Sequence, residues 1–174
     1  MLLVFLMAIS LSMDAFSLAL AYGTLGMSNK DKIILSLVVG IFHLIMPLLG
    51  MLVGELILSL FKFNADIVVA IILSFIGIQM IVSSFKKDEE LKPLKLSEFF
   101  LFGLAVSIDS FSLGITLPNM GVSMIISPFI FAITSAAFTF AGLLIGNKIE
   151  KLLGKIATII GGVILTLIGL AFAI

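Results

Sequence analysis

The sequence has no cysteine and no arginine, and charged residues make up only 11% of it. Without cysteine there can be no disulfide framework, no thiolate metal site and no thiol catalysis. A soluble domain carries about 25% charged residues, so this chain has too few to cover a water-exposed surface. All ten basic residues are lysines and the net charge is zero. No basic patch of the kind that binds nucleic acid is present, so no nucleic-acid partner is expected.

The chain consists mainly of long apolar segments. Its 174 residues are 61% hydrophobic, with a mean hydropathy of +1.37. A bilayer is spanned by about 20 apolar helical residues, and six such segments occur, at about 2–22, 33–58, 67–85, 99–117, 122–146 and 152–172. A transmembrane β-barrel would show segments of about ten alternating residues, and none occurs. The predicted fold class is an all-α integral membrane protein with six transmembrane helices in the lipid bilayer.

The lysines predict the orientation of these spans. The links between segments one and two, three and four, and five and six, together with the first residues of segment six, hold nine of the ten lysines, and the opposite side has only Lys62. Short loops rich in lysine stay in the cytoplasm. We therefore expect a multi-pass protein with cytoplasmic lysine-rich loops and both termini outside.

The chain also repeats itself. The motif Ser-x-Asp-x-Phe-Ser occurs at residues 12–17 and again at residues 107–112, and a Gly-x-x-x-Gly pair occurs at residues 50–54 and 142–146. Each half contains three spans, and because three is odd, the second half must enter the membrane upside down. The expected architecture is an inverted-topology repeat with halves 1–87 and 97–174 joined by a cytoplasmic connector, 88–96. Such repeats hold their binding site near the midplane, where it opens alternately to either side.

Each copy of the motif places one carboxylate, Asp14 or Asp109, near the centre of a span. A charge at bilayer depth costs several kcal/mol, so an intramembrane carboxylate indicates a functional site. Because their two helices run antiparallel, both carboxylates are expected at a similar depth. The alternative is that both are protonated and hydrogen-bond between helices as packing contacts, although serine or asparagine would do this at a lower cost.

Hydroxyl groups flank both carboxylates. Ser17 and Ser112 follow the aspartates by three residues, which puts them on the same helical face. Ser12 and Ser107 precede them by two residues, which is roughly the opposite face of a regular helix. This second pair would join a site only if the helix were locally unwound, as in broken-helix transporters.

His43, the sole histidine, lies in the middle of the second span. It could be a neutral imidazole ligand to a divalent metal or a proton carrier, because histidine titrates near physiological pH. It could also be a neutral side chain bonded to a neighbouring carbonyl or to one aspartate. The glycine pairs align it with Ser135 in the second half.

Two carboxylates, several hydroxyls and one imidazole form a hard, oxygen-rich set that suits Mg²⁺, Ca²⁺ or Mn²⁺. The nitrogen favours Mn²⁺ among these three, and the two aspartates would neutralise a dication. The predicted metal-binding residues are Asp14, Asp109, Ser17, Ser112, His43, Ser12 and Ser107. No phosphate-binding glycine loop is present, so transport would be driven by an ion gradient or by the substrate's own gradient. Protons are the expected counter-ion, since the aspartate pair can bind either H⁺ or metal.

At the paired Ser-x-Asp-x-Phe-Ser motifs the chain resembles the MntP family of manganese efflux pumps, within the wider LysE-type exporter group. The resemblance extends to residues 40–50 and to the glycines of the third and sixth spans. It implies Mn²⁺ export across the cytoplasmic membrane of a bacterium, with Asp14 and Asp109 as the central acidic residues. Position 43, where the manganese pumps tend to carry an acidic or amide residue, is histidine here. The chain is similar as well to the branch named for sporulation membrane proteins.

Three other functions are compatible with parts of this pattern. The chain could export a small organic cation or amino acid, although nothing in it offers an obvious carboxylate clamp. It could be a non-transporting membrane protein in a developmental process such as sporulation, but a scaffold has no need for two midplane carboxylates. An intramembrane aspartyl protease would need flanking motifs that are missing, so no enzymatic activity is expected. The main prediction is a divalent-cation transporter that needs no cofactor and has Mn²⁺ as its substrate.

Overall fold

The computed structural model describes residues 1–60, 64–85, 93–146 and 152–173. Within these ranges the chain forms six long helices and no strand. The helices are α1 (Leu2–Gly23), α2 (Asn29–Leu60), α3 (Ala65–Ser83), α4 (Glu98–Thr116), α5 (Ile126–Ile145) and α6 (Leu152–Ala173), with a short 3₁₀ turn at Leu117–Asn119. Each of the six is long and apolar enough to cross a membrane. The predicted all-α membrane fold with six spans is confirmed.

Part of the basis for the predicted orientation lies outside the described residues. This applies to residues 88–92 of the connector. It also applies to six of the ten lysines, namely Lys62, Lys86, Lys87, Lys92, Lys148 and Lys151.

Local capping sets the helix ends that hydropathy alone misplaces. α2 begins at Asn29, four residues before the predicted segment, because the Ser28 hydroxyl accepts the backbone N–H of Asp31 at 3.1 Å and donates to its carboxylate at 2.7 Å. This contact satisfies an N–H group that a helix start leaves free. α5 begins at Ile126 instead of near residue 122, and the Ser123 hydroxyl accepts the Ile126 N–H at 3.2 Å.

The helices present large apolar side chains outward and small polar ones inward. Phe75 is 65% exposed and Ile133 is 70% exposed, whereas the side chains of Ser12, Ser107 and Ser135 are fully buried. This arrangement suits a lipid environment, where no hydrophobic force drives helices together and small or polar residues form their contacts instead.

Helices that are adjacent in sequence are not the main neighbours in space. α1 packs on α5 and α6, α2 packs on α4 and α5, and α3 packs on α6. The first three helices and the last three are therefore interleaved, and neither set forms a separate bundle.

Glycines set the closest of these contacts, and they do so in matching pairs. A Cβ atom added at Gly142 of α5 would lie 2.8 Å from the Phe16 carbonyl oxygen of α1, and one added at Gly50 of α2 would meet the Phe111 carbonyl oxygen of α4. Phe16 and Phe111 occupy the same place in the two copies of the repeated motif. The packing of α1 on α5 thus corresponds, residue by residue, to the packing of α4 on α2.

Two interfaces that the predicted repeat would relate, α1 with α6 and α4 with α3, are not packed alike. α1 lies close against α6, where a Cβ added at Gly154 would be 2.8 Å from the Ser17 hydroxyl and one added at Gly161 would be 2.6 Å from the Ser10 carbonyl oxygen. Under the predicted repeat, α4 corresponds to α1 and α3 corresponds to α6. α4 and α3 have little contact with each other. A gap between α3 and α4 takes the place of a close interface.

Candidate functional site

Asp14 and Asp109 each lie about halfway along an unbroken helix, α1 and α4 respectively. Both side chains are half-buried although each helix has an exposed apolar surface. The two carboxylates line the same cavity. The structure therefore brings the acidic residue of one motif together with that of the other.

The cavity has a volume of about 200 Å³ and lies between α1, α3 and α4. Its lining consists of Asp14, Gln79, Met80, Ser83, Ala105, Ile108 and Asp109. A water molecule occupies about 30 Å³ in the liquid, so the cavity can hold a small cation with part of its water shell. It occupies the gap that the loose contact of α3 with α4 leaves open.

The wall formed by α3 is the part of the site that sequence reasoning did not select. Gln79 and Ser83 lie one helical turn apart, and both face the cavity with Met80 between them. The Ser83 hydroxyl donates to the Met80 carbonyl oxygen at 2.8 Å, which leaves its oxygen lone pairs free. The signal in the sequence is Gln79, the single amide of this span, which could line a polar path or pair with another helix.

The serines flanking the aspartates do not line the cavity. Ser12 donates to the Ala8 carbonyl oxygen at 2.6 Å, and its oxygen lies 3.0 Å from the Ser135 hydroxyl, which links α1 to α5. Ser107 donates to the Leu104 carbonyl oxygen at 3.1 Å within α4. Since both helices continue through the motifs, neither serine is turned toward its aspartate by unwinding.

The second pair of serines, three residues after each aspartate, also lies outside the cavity lining. Ser17 faces α6 at Gly154, and Ser112 is half-buried on α4. Their predicted role as ligands stays a prediction.

His43 is fully buried and lies outside the cavity lining as well. Its Nδ1 donates to the Val39 carbonyl oxygen at 2.9 Å, one turn earlier on α2. Its Nε2 has no hydrogen-bond partner among the described residues. Ser135, the position aligned with His43 in the second half, instead bonds to Ser12. The matching positions of the two halves therefore carry different interactions.

The chemistry of the cavity is that of two carboxylates among neutral oxygen groups. Within the described ranges no three histidine, cysteine, aspartate or glutamate side chains come together as a preformed metal cage. Two ionised aspartates balance the charge of one dication, and an amide and a hydroxyl are further oxygen donors of the type that Mg²⁺, Ca²⁺ and Mn²⁺ accept. The site is suited to a partly hydrated divalent cation that binds and leaves.

Comparison with known proteins identifies the family. A family model described as "Putative manganese efflux pump" matches residues 26–173. The "Putative manganese efflux pump MntP" of Bacillus licheniformis is 38% identical over 167 residues, covering 95% of this chain and 89% of that protein. Proteins of the same name from Bacillus thuringiensis and Bacillus mycoides are each 36% identical over 167 residues, covering 95% of this chain and 91% of each relative. No solved structure matches the chain. The chain belongs to the MntP family.

Proposed function

We propose that this chain is a carrier of the bacterial cytoplasmic membrane that exports Mn²⁺, with the cation bound between Asp14 and Asp109. The observation that carries the proposal is that these two carboxylates, one from each half, face one cavity within the spans. The relatives are named as manganese efflux pumps, which is the reason for choosing this metal and this direction.

The charge of the site supports a dication. A positive charge at membrane depth costs about 2.5–3.5 kcal/mol on insertion scales, and two aspartates cancel both charges of Mn²⁺. The site is less suited to an amino acid, because the cavity lining has no cationic side chain to bind a carboxylate.

The packing of the helices supports alternating access. The interface of α1 with α6 and the interface of α4 with α3 correspond under the repeat, yet the first is closed and the second holds the cavity. If the halves form an inverted repeat, these two interfaces face opposite sides of the membrane. We propose that transport exchanges their states, so that α3 closes on α4 while α1 opens from α6.

The cavity extends toward the start of α4 and the end of α3. From Asp109 its lining continues to Ala105, toward the start of α4, and from Gln79 it continues to Ser83, toward the end of α3. Both lead to the link between these helices, which is lysine-rich and predicted to be cytoplasmic. We therefore propose that this conformation loads its cation from the cytoplasm, as an exporter must.

Protons are the proposed counter-ion. The pair of carboxylates can hold one Mn²⁺ or two protons, so the return of the empty carrier in protonated form would keep the site neutral in both directions. The bacterial proton gradient would then drive export without a nucleotide.

The test is Mn²⁺ flux in proteoliposomes under an imposed pH gradient. Asp14→Asn and Asp109→Asn each leave one charge of the dication unbalanced, which by the cost above reduces occupancy of the site by about two orders of magnitude. Asp66→Asn is the matched control, because Asp66 is exposed at the start of α3 and outside the cavity. Wild-type flux in either cavity variant would refute the paired site. Absence of flux in folded wild-type protein that binds no dication would refute the transporter and favour a structural membrane protein.

A further inference from the structure

Gln79 is an unusual residue for its position. It lies on a helix of bilayer-spanning length, its side chain is exposed toward the cavity, and it has no hydrogen-bond partner in the described part of the chain. An amide that has no protein partner must bond to what occupies the cavity, either water or a bound ion. A glutamine kept there for helix packing would be expected to bond to a neighbouring helix.

The packing surface of α3 lies elsewhere on the helix. α3 contacts α6 through a stripe at the spacing of successive helical turns, namely Ala70, Ser74, Gly77 and Ile81. Gln79 is two residues from Gly77, which is about 200° around the helix. It thus points away from α6 and across the cavity that Asp14 and Asp109 line from the other side.

We propose that the side-chain oxygen of Gln79 is a third protein ligand of the transported cation, donated from α3 to a site whose other two ligands are Asp14 and Asp109. This inference rests on the proposed function, and it adds a ligand that neither of the repeated motifs contains. An amide oxygen is a hard donor of the kind found around Mg²⁺, Ca²⁺ and Mn²⁺.

A neutral third ligand keeps the charge balanced. Two aspartates already cancel a dication, and a third carboxylate would leave a net negative charge within the membrane, which strengthens binding but opposes release. The amide adds coordination without adding charge. It also gives the cation a contact on α3, so that a bound ion draws α3 toward α4 and helps to close the gap between them.

The experiment measures Mn²⁺ binding to purified protein from the electron paramagnetic resonance signal of the free ion, together with Mn²⁺ flux in proteoliposomes. Three substitutions are compared: Gln79→Leu removes the oxygen, Gln79→Asn keeps it on a shorter side chain, and Gln79→Glu adds a charge. Ile78→Leu is the matched control, because the adjacent Ile78 is 53% exposed and outside the cavity lining.

We expect Gln79→Leu to raise the Mn²⁺ dissociation constant by about tenfold or more, since even indirect metal contacts are worth that much. Gln79→Asn is expected to recover part of the affinity. Gln79→Glu is expected to bind Mn²⁺ more tightly than wild type while transporting it more slowly. A residue that only shapes the helix would not change affinity in opposite directions in the leucine and glutamate variants.

The outcomes separate this inference from the proposed function. If Asp14→Asn loses binding while Gln79→Leu binds Mn²⁺ as the Ile78→Leu control does, the third ligand is refuted and the paired site stands. If Asp14→Asn and Gln79→Leu both bind as wild type, both proposals fail. Loss of affinity in Gln79→Leu, with partial recovery in Gln79→Asn, supports the third ligand.

Discussion

A disulfide between α1 and α6 should stop transport, because the proposed mechanism requires these helices to separate. Ser17 of α1 and Gly154 of α6 are the positions to use, since the chain has no cysteine of its own. We expect the double variant Ser17→Cys, Gly154→Cys to form the bond readily when oxidised. Mn²⁺ flux should then fall in direct proportion to the crosslinked fraction and return when the bond is reduced.

The geometry of the pair fits a disulfide. A Cβ atom built on Gly154 lies 2.8 Å from the Ser17 hydroxyl oxygen, 3.3 Å from its Cα and 3.4 Å from its carbonyl oxygen, and these are its nearest neighbours. The Cβ of Ser17 is therefore no closer than that carbonyl oxygen and, since a carbon–carbon bond adds about 1.5 Å, no farther than about 4.8 Å. Disulfides join Cβ atoms about 3.5–4.5 Å apart, so the pair is within reach of a bond.

The control pair lies across the cavity. Ser83→Cys and Ala105→Cys change two small side chains that face the same cavity from α3 and α4. They should resist direct oxidation in this conformation and react singly with water-soluble thiol reagents. The single variants Ser17→Cys and Gly154→Cys separate crosslinking from any effect of the substitutions. Undiminished flux through fully crosslinked protein would refute the opening of α1 from α6.

Three smaller predictions concern stability and the buried histidine. Gly114→Ala should lower thermal stability in detergent by about 1–3 kcal/mol, and by more than Gly154→Ala, because a Cβ at Gly114 would meet the Pro47 backbone whereas one at Gly154 meets a serine hydroxyl that can rotate. His43→Leu should leave Mn²⁺ flux intact and stability unchanged or higher, because it removes a buried nitrogen without a partner; loss of flux would instead support the predicted role of His43 as a ligand or proton carrier. Gly26→Ala should cost about 1–2 kcal/mol in the same melting assay, since Gly26 has a φ of +73°, and an unchanged melting temperature would contradict this.

The sequence alone was sufficient to predict the six spans and to select the two carboxylates as candidate site residues. The physical reason is the same in both cases. A helix that spans a bilayer must be long and apolar, and a charge within the bilayer has a high free-energy cost. The spans and the two carboxylates are therefore both easy to recognise in the sequence. The ends of the helices were harder to predict from the sequence. The start of α2 depends on the contact of Ser28 with Asp31, which mean hydropathy does not register.

Which helices pack against one another could not be predicted from the sequence. Helices that are apolar all round have no distinct face, so nothing in the residues of α3 says whether Gln79 meets another helix, lipid or a cavity. The same holds for Ser12, which proximity to Asp14 made a candidate ligand and which instead bonds to Ser135. These outcomes depend on contacts between helices far apart in the chain.

The interleaving of the helices bears on how the protein is made. α1 hardly touches α2 or α3, and its partners α5 and α6 follow it by more than a hundred residues. During synthesis α1 therefore enters the membrane, with Asp14 in its centre, long before any of its neighbours exist. Tertiary structure cannot form in the order of translation, and the first half must wait in the bilayer as separate helices. By the same reasoning, the two halves made as separate chains should assemble only when they are produced together.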